Sequence, residues 1–315
     1  MTKEPAADPD PTPGRRVLLA LVDEAQEYQR LQAAEAAVAA ERAGISLETV
    51  FAENNAIAQI YQVFARVHAP RDSRPRVIVA HPVAGDGLER VARSAVRAGI
   101  GWIVLNMRVR YLEELIAEAR ELPLSSVSPD NLGIGRLHGQ QVRALVPDGG
   151  VLLYIQGPPD TSAAQDRLRG MQEGLAGARF DWKVLQGDWT ETGGEKAIAG
   201  FLRLKGHEGA RPAIVVAQND AMAIGARRII RALCPDWSTV RFLGCDGLPT
   251  AGQRLVNEGE LAATVIMPST AGHAVDMVGA WLNRGIPPPP KVILQPSSFM
   301  PVGAGQARSA GKAKA

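Results

Sequence analysis

The chain has 315 residues, with 35 Lys and Arg against 33 Asp and Glu, 46% hydrophobic and 22% charged residues. A formal net charge of +2, spread along the chain rather than blocked, argues against nucleic acid or an anionic membrane surface as partner. The apolar content is too high for disorder, no apolar run reaches the roughly 20 residues that cross a bilayer, and the length is about twice that of a usual domain, so two domains and no direct membrane insertion are expected.

The start, 1–14, holds four prolines and no hydrophobic period, and the end, 303–315, is small and basic; both read as flexible tails. Between them short apolar runs alternate with amphipathic stretches. The spacing predicts strand 16–22, helix 28–43 closed by Gly44, strand 46–52, helix 57–67, strand 77–80, helix 88–98 closed by Gly99, and strand 102–105. An extra helix at 112–119 and a linker at 125–129 follow. The alternation then repeats: helix 132–145, strand 151–155, helix 163–175, strand 183–185, helix 195–204, strand 213–217, helix 221–233, strand 241–245, helix 252–257 and strand 263–266. A helix at 271–283, a proline break at 287–290 and a strand at 291–294 close the chain. Continuous apolar strands alternating with helices predict an α/β fold of two doubly wound, parallel-sheet, Rossmann-like lobes.

Such sheets bind ligands beyond the carboxyl ends of their strands. Those positions hold Asp23 to Tyr28, His81, Asn106, Gln156, Trp189, Asn219-Asp220, Asp246-Gly247 and Met267. They form a set of hydrogen-bonding groups with one or two aromatics and no nucleophile paired with a base, so no catalytic residue is assigned. Cys234 and Cys245 sit in apolar contexts and read as core thiols, which excludes a disulfide framework. The histidines at 68, 81, 138, 207 and 273 are scattered and form no H-E-x-x-H pair, so no metal site is expected. A dinucleotide enzyme would need Gly-x-Gly-x-x-Gly after the first strand, where this chain has no glycine. Gly133-Ile-Gly135 is no substitute, since His138 stands where the third glycine belongs. No cofactor is called for.

Gln156-Gly157, Thr161-Ser-Ala-Ala164 with Arg167 and Gly170, Ala217-Gln-Asn-Asp220, Gly244-Cys-Asp-Gly247 and Asn257 to Thr264 resemble the type I periplasmic binding proteins of the ribose and galactose class. The ligand-binding cores of LacI-type repressors share these patterns, but the short Pro-rich start leaves no room for a helix-turn-helix headpiece. The resemblance implies a periplasmic-binding-protein-like fold of two lobes joined by a three-strand hinge: 15–127 plus 268–293, and 128–267 plus 294–302. It implies closure of the lobes around a small carbohydrate-like ligand, for ABC-type uptake through a permease or for sensing read by a signalling protein.

By the same resemblance Arg167 donates to sugar hydroxyls, Asn219 both donates and accepts, Asp246 accepts from two hydroxyls, and Trp189 lies against the ring's C–H face. The first lobe departs from the pattern. Gln26-Glu27-Tyr28 replaces Asn-Pro-Phe, so Tyr28 keeps one aromatic and Gln26 is a changed contact. Asn106-Met107, with Arg108 next, replaces Asp-Arg, and Met267 stands where glutamine is common. His81 opens toward the same strand ends and joins the candidate set. The acidic, Pro-rich start lacks a secretory pattern and points to the cytoplasm, whereas the resemblance points to the periplasm.

Overall fold

A computed structural model describes residues 14–205 and 211–301. The expected tails, apart from Gly14, and His207 lie outside the described residues. In chain order the elements are β1 (Arg16–Leu21), α1 (Glu27–Ala43), β2 (Ser46–Phe51), α2 (Ala56–Val67), β3 (Val77–Ala80), α3 (Glu89–Arg97), β4 (Gly101–Leu105), α4 (Tyr111–Glu118) and β5 (Leu124–Pro129). There follow α5 (Asn131–Leu145), β6 (Gly150–Gln156), α6 (Ser162–Gly174), β7 (Phe180–Gln186), α7 (Glu191–Lys205), β8 (Ile214–Ala217), α8 (Asp220–Leu233) and β9 (Arg241–Asp246). The last are α9 (Arg254–Asn257), β10 (Ala263–Ile266), α10 (Thr270–Arg284), β11 (Lys291–Leu294) and β12 (Ser297–Phe299).

These elements form two compact units. The first runs to Ser128 and takes in Ser269–Val292; the second comprises Pro129–Pro268 and the chain from Ile293 onward. The first carries a six-stranded sheet ordered β11-β5-β4-β3-β1-β2, the second one ordered β12-β10-β9-β8-β6-β7. The pairs β1–β2, β1–β3, β3–β4, β4–β5, β6–β7, β6–β8, β8–β9 and β9–β10 are parallel, and β12 runs antiparallel to β10.

The strands follow from continuous apolar sequence. From Val17 to Leu21, and all through β3 and β4, every residue is buried, as a strand covered on both faces requires. In the second unit successive residues of β6 feed opposite faces: Leu153 and Ile155 join one apolar cluster, Leu152 and Tyr154 the other. Helix ends are set locally. Asn55 accepts from the amides of Ile57 and Ala58 to open α2, and Gly44, at φ 66°, closes α1 in a left-handed conformation. Cys234 and Cys245 are buried and form no disulfide, and burial pushes the Cys245 thiol well up.

The segment 125–129, expected as a linker, is instead strand β5, paired to β4 along Leu124–Val127. Its serines and proline hide the strand because their polarity is satisfied by a neighbouring backbone rather than by solvent. Ser125 Oγ donates to the Pro289 carbonyl at 2.6 Å, the Ser126 amide to Pro290 at 3.1 Å, and the Asp130 amide to Leu294 at 2.9 Å. The helix expected at 252–257 contracts to a π-turn at Pro249–Gln253 and the single turn α9. Strand β12 was not foreseen.

Helices α5 and α6 meet along a glycine seam. A Cβ at Gly135 would lie 2.1 Å from the Arg167 carbonyl, and one at Gly170 would lie 2.1 Å from the Leu132 carbonyl. The seam therefore sets where α6 carries Arg167. Gly135→Ala should destabilise the second unit by about 1–3 kcal/mol through overpacking, read as a lower urea midpoint; an unchanged midpoint would show that the backbones can part at no cost.

Candidate functional site

In both sheets the winding reverses beside the first strand of the unit, between β1 and β3 and between β6 and β8. The carboxyl ends of strands flanking such a reversal are where doubly wound sheets receive ligands. Tyr28 lies on the helix after β1, His81 follows β3, Arg167 lies on the helix after β6 and Asn219 follows β8, whereas Asn106, Trp189 and Asp246 stand at the carboxyl ends of β4, β7 and β9.

In the first unit they form one hydrogen-bonded network. Tyr28, buried in the first turn of α1, donates its hydroxyl to Asn106 Oδ1 at 3.4 Å. The Thr270 hydroxyl, at the start of α10, lies 2.8 Å from the same oxygen and 2.9 Å from Gln32 Oε1. Gln32 Oε1 also accepts from the amides of Thr270 and Ala271, which fixes the helix start. His81 Nδ1 faces Gln29 Nε2 at 3.0 Å and Asn106 Nδ2 at 3.2 Å. Two amide donors require that nitrogen to be an acceptor, so the ring proton sits on Nε2. Burial lowers the His81 pKa to about 4, and the ring is neutral at pH 7.

The other first-unit candidates stand apart from this network. Gln26 is a partly exposed N-cap residue of α1 whose side chain makes no capping bond, and Arg108 is exposed. Met107 is buried in the apolar core. Sequence reasoning missed Gln29, Gln32 and Thr270. The i, i+3 pair of glutamines on the buried side of an alanine-rich helix was the one available signal.

In the second unit the set centres on Arg167, 5% exposed. Its guanidinium donates to Asn131 Oδ1 at 2.9 Å, to the Gln218 carbonyl at 2.6 Å and to Met267 Sδ at 2.9 Å. The Trp189 ring lies over it, 5.4 Å from centroid to Cζ, a cation–π arrangement. Gly157 makes room for that ring, since a Cβ there would lie 2.2 Å from it. Asn219 caps α8 by accepting from the Met222 amide at 3.0 Å and donates to the Trp189 carbonyl at 2.8 Å. Buried Asp220 accepts from the Gly247 amide at 2.9 Å and from Thr264 Oγ1 at 2.7 Å, which holds the turn carrying Asp246.

Gln218 and Asn131 also escaped the sequence reading. Gln218 is fully buried, donating to Tyr154 Oη and the Ala164 carbonyl and accepting from the Gly157 amide. It locks the ends of β6 and β8 behind Arg167. Met267, standing where glutamine is common, keeps an acceptor there: its sulfur accepts from Arg167.

Backbone strain concentrates on the same residues. Among the described residues the non-glycine positions with positive φ are Glu53, Asn54, Asn106, Trp189 and Asp246. Three of these five are strand-end candidates, at 64°, 70° and 107° respectively. Asp246 lies outside the left-handed well, where a non-glycine residue costs about 1–3 kcal/mol and is retained chiefly at functional sites.

Among the described residues no cluster of three or more His, Cys, Asp or Glu could hold a metal ion, and no helix is long and apolar enough to cross a membrane. The ribose import binding protein RbsB of Escherichia coli is 26% identical over 257 residues, covering 81% of this chain and 76% of that protein. A Caulobacter myo-inositol binding protein aligns with a TM-score of 0.78 at 22% identity, covering 95% of this chain and 97% of its own. A galactofuranose binding protein aligns with a TM-score of 0.78 at 23% identity, covering 92% and 95%. The family model for the periplasmic binding protein domain matches residues 18–283. The chain belongs to this family of periplasmic binding proteins, whose members bind solutes and are not enzymes.

Proposed function

We propose that the protein is a solute receptor that holds a small polyhydroxylated, sugar-like ligand with its strand-end groups and hands it to an ABC-type importer. The observation that carries this reading is the buried Arg167 with the Trp189 ring on it. Three of its N–H donors are taken by protein, and a guanidinium has five. The remaining two suit vicinal hydroxyls or a ring oxygen. Asp246 supplies a charged acceptor for hydroxyl protons, and the indole an apolar surface for C–H groups. In the first unit the His81 Nε2–H is a neutral donor whose orientation the two amides fix. The named relatives bind ribose, myo-inositol and galactofuranose, which share a dense ring of hydroxyls.

A thermal-shift panel of pentoses, hexoses, furanosides and polyols tests this reading. A ligand at about 100 times its Kd stabilises by about 2.7 kcal/mol. Asp246→Ala and Asp246→Gly should each weaken the hit by about 1.5–3 kcal/mol, or 10- to 150-fold, by removing a charge-assisted bond. Asp246→Gly should be the more stable of the two, because glycine accepts a φ of 107° without strain. Wild-type affinity in both variants would remove Asp246 from the site, and silence of the wild type across the panel would remove the sugar reading.

A further inference from the structure

The second unit has a cavity of about 330 Å³ away from its strand-end set, whose lining includes Arg227, Arg231, Arg241, Glu260, Ser238 and Thr239 among apolar residues such as Leu145, Phe242 and Leu261. Arg241 begins β9, whereas Asp246 ends it, so the cavity opens at the amino end of the sheet. Arg227 and Arg231 stand one turn apart on α8. Glu260 pairs with Arg227, whose side chain is 13% exposed. Arg241 donates to the Leu145 carbonyl, and among the described residues neither Arg231 nor Arg241 has a carboxylate partner. Three guanidinium groups thus share one carboxylate around the cavity, with two hydroxyls among its walls. Burial holds the Arg227 pKa below the ordinary arginine value, and the charge of Arg231 beside it adds to that, against the pull of Glu260. Two exposed arginines without a carboxylate partner, beside the half-buried Arg227–Glu260 pair, leave the recess an excess of positive charge, which attracts an anion, and planar guanidinium forks match tetrahedral oxyanions.

We propose that this cavity binds a phosphate group, free or carried on a small molecule, and that it is separate from the solute site. Isothermal titration at low ionic strength with inorganic phosphate and with glycerol 3-phosphate tests the proposal and distinguishes the two sources. The wild type should bind at least one of them. The double variant Arg231→Ala, Arg241→Ala should bind it at least about tenfold more weakly, the loss expected for one charge-assisted contact. Both side chains are exposed, so the variant should keep the wild-type unfolding midpoint, which is checked in parallel. Asp246→Ala should bind the phosphate like wild type. The proposal fails if neither probe binds at millimolar concentration, if the double variant binds as the wild type does, or if Asp246→Ala abolishes the binding and so places the anion in the solute site.

Discussion

A guanidinium taken out of water with no carboxylate in contact among the described residues is the constraint on which the second unit's strand-end set depends. Arg167 is held by a side-chain amide oxygen, a backbone carbonyl, a thioether sulfur and the face of an indole. None of these neutralises its charge, and burying an uncompensated cation is costly. The surrounding structure fixes each partner. Gln218 is anchored to Tyr154, Ala164 and Gly157, and the α5–α6 glycine seam sets the height of the helix carrying the arginine. The charge reaches its neighbours too. His138, whose Nε2 donates to the Gly244 carbonyl at 2.8 Å, has its pKa lowered to about 4, chiefly by burial and further by Arg167.

The first unit solves the same problem without a charge. Its strand ends carry an amide, an imidazole, a phenol and a hydroxyl, joined through Asn106 and His81. These mutual hydrogen bonds fix the orientation of the side chains before any ligand arrives. A positive φ at Asn106 on this sheet, and at Trp189 and Asp246 on the other, aims side chains in directions regular strands do not offer. Apolar strands and helix seams supply the stability that tolerates this local strain.

Much of this was legible in the sequence because buried parallel strands announce themselves as unbroken apolar runs, as 17–21 and 101–105 do. Where strand character depended on partners, the signal failed: Ser125 and Ser126 look like a linker until their polar groups are matched to Pro289 and Pro290. Gly133-Ile-Gly135, rejected as a dinucleotide loop, lies in α5, where Gly135 packs against α6. The strand-end rule brought Tyr28, His81, Asn106, Trp189, Asn219 and Asp246 into the candidate set, and motif resemblance added Arg167. The supporting residues Gln29, Gln32, Asn131, Gln218 and Thr270 were not found. Uncharged polar side chains carry little pattern of their own, and their meaning lies in which atoms they meet across 36 to 238 positions of sequence.

The most direct test of the account is Arg167→Met, measured for both unfolding free energy and affinity for the solute that the panel identifies. Methionine keeps the length and apolar bulk but removes the buried charge, which offsets the loss of its hydrogen bonds. The account predicts stability within about 2 kcal/mol of wild type together with at least about hundredfold weaker binding. A variant that unfolds, or one that folds and binds the solute as tightly as wild type, would contradict it: the first would make Arg167 a structural residue, the second would place the ligand elsewhere.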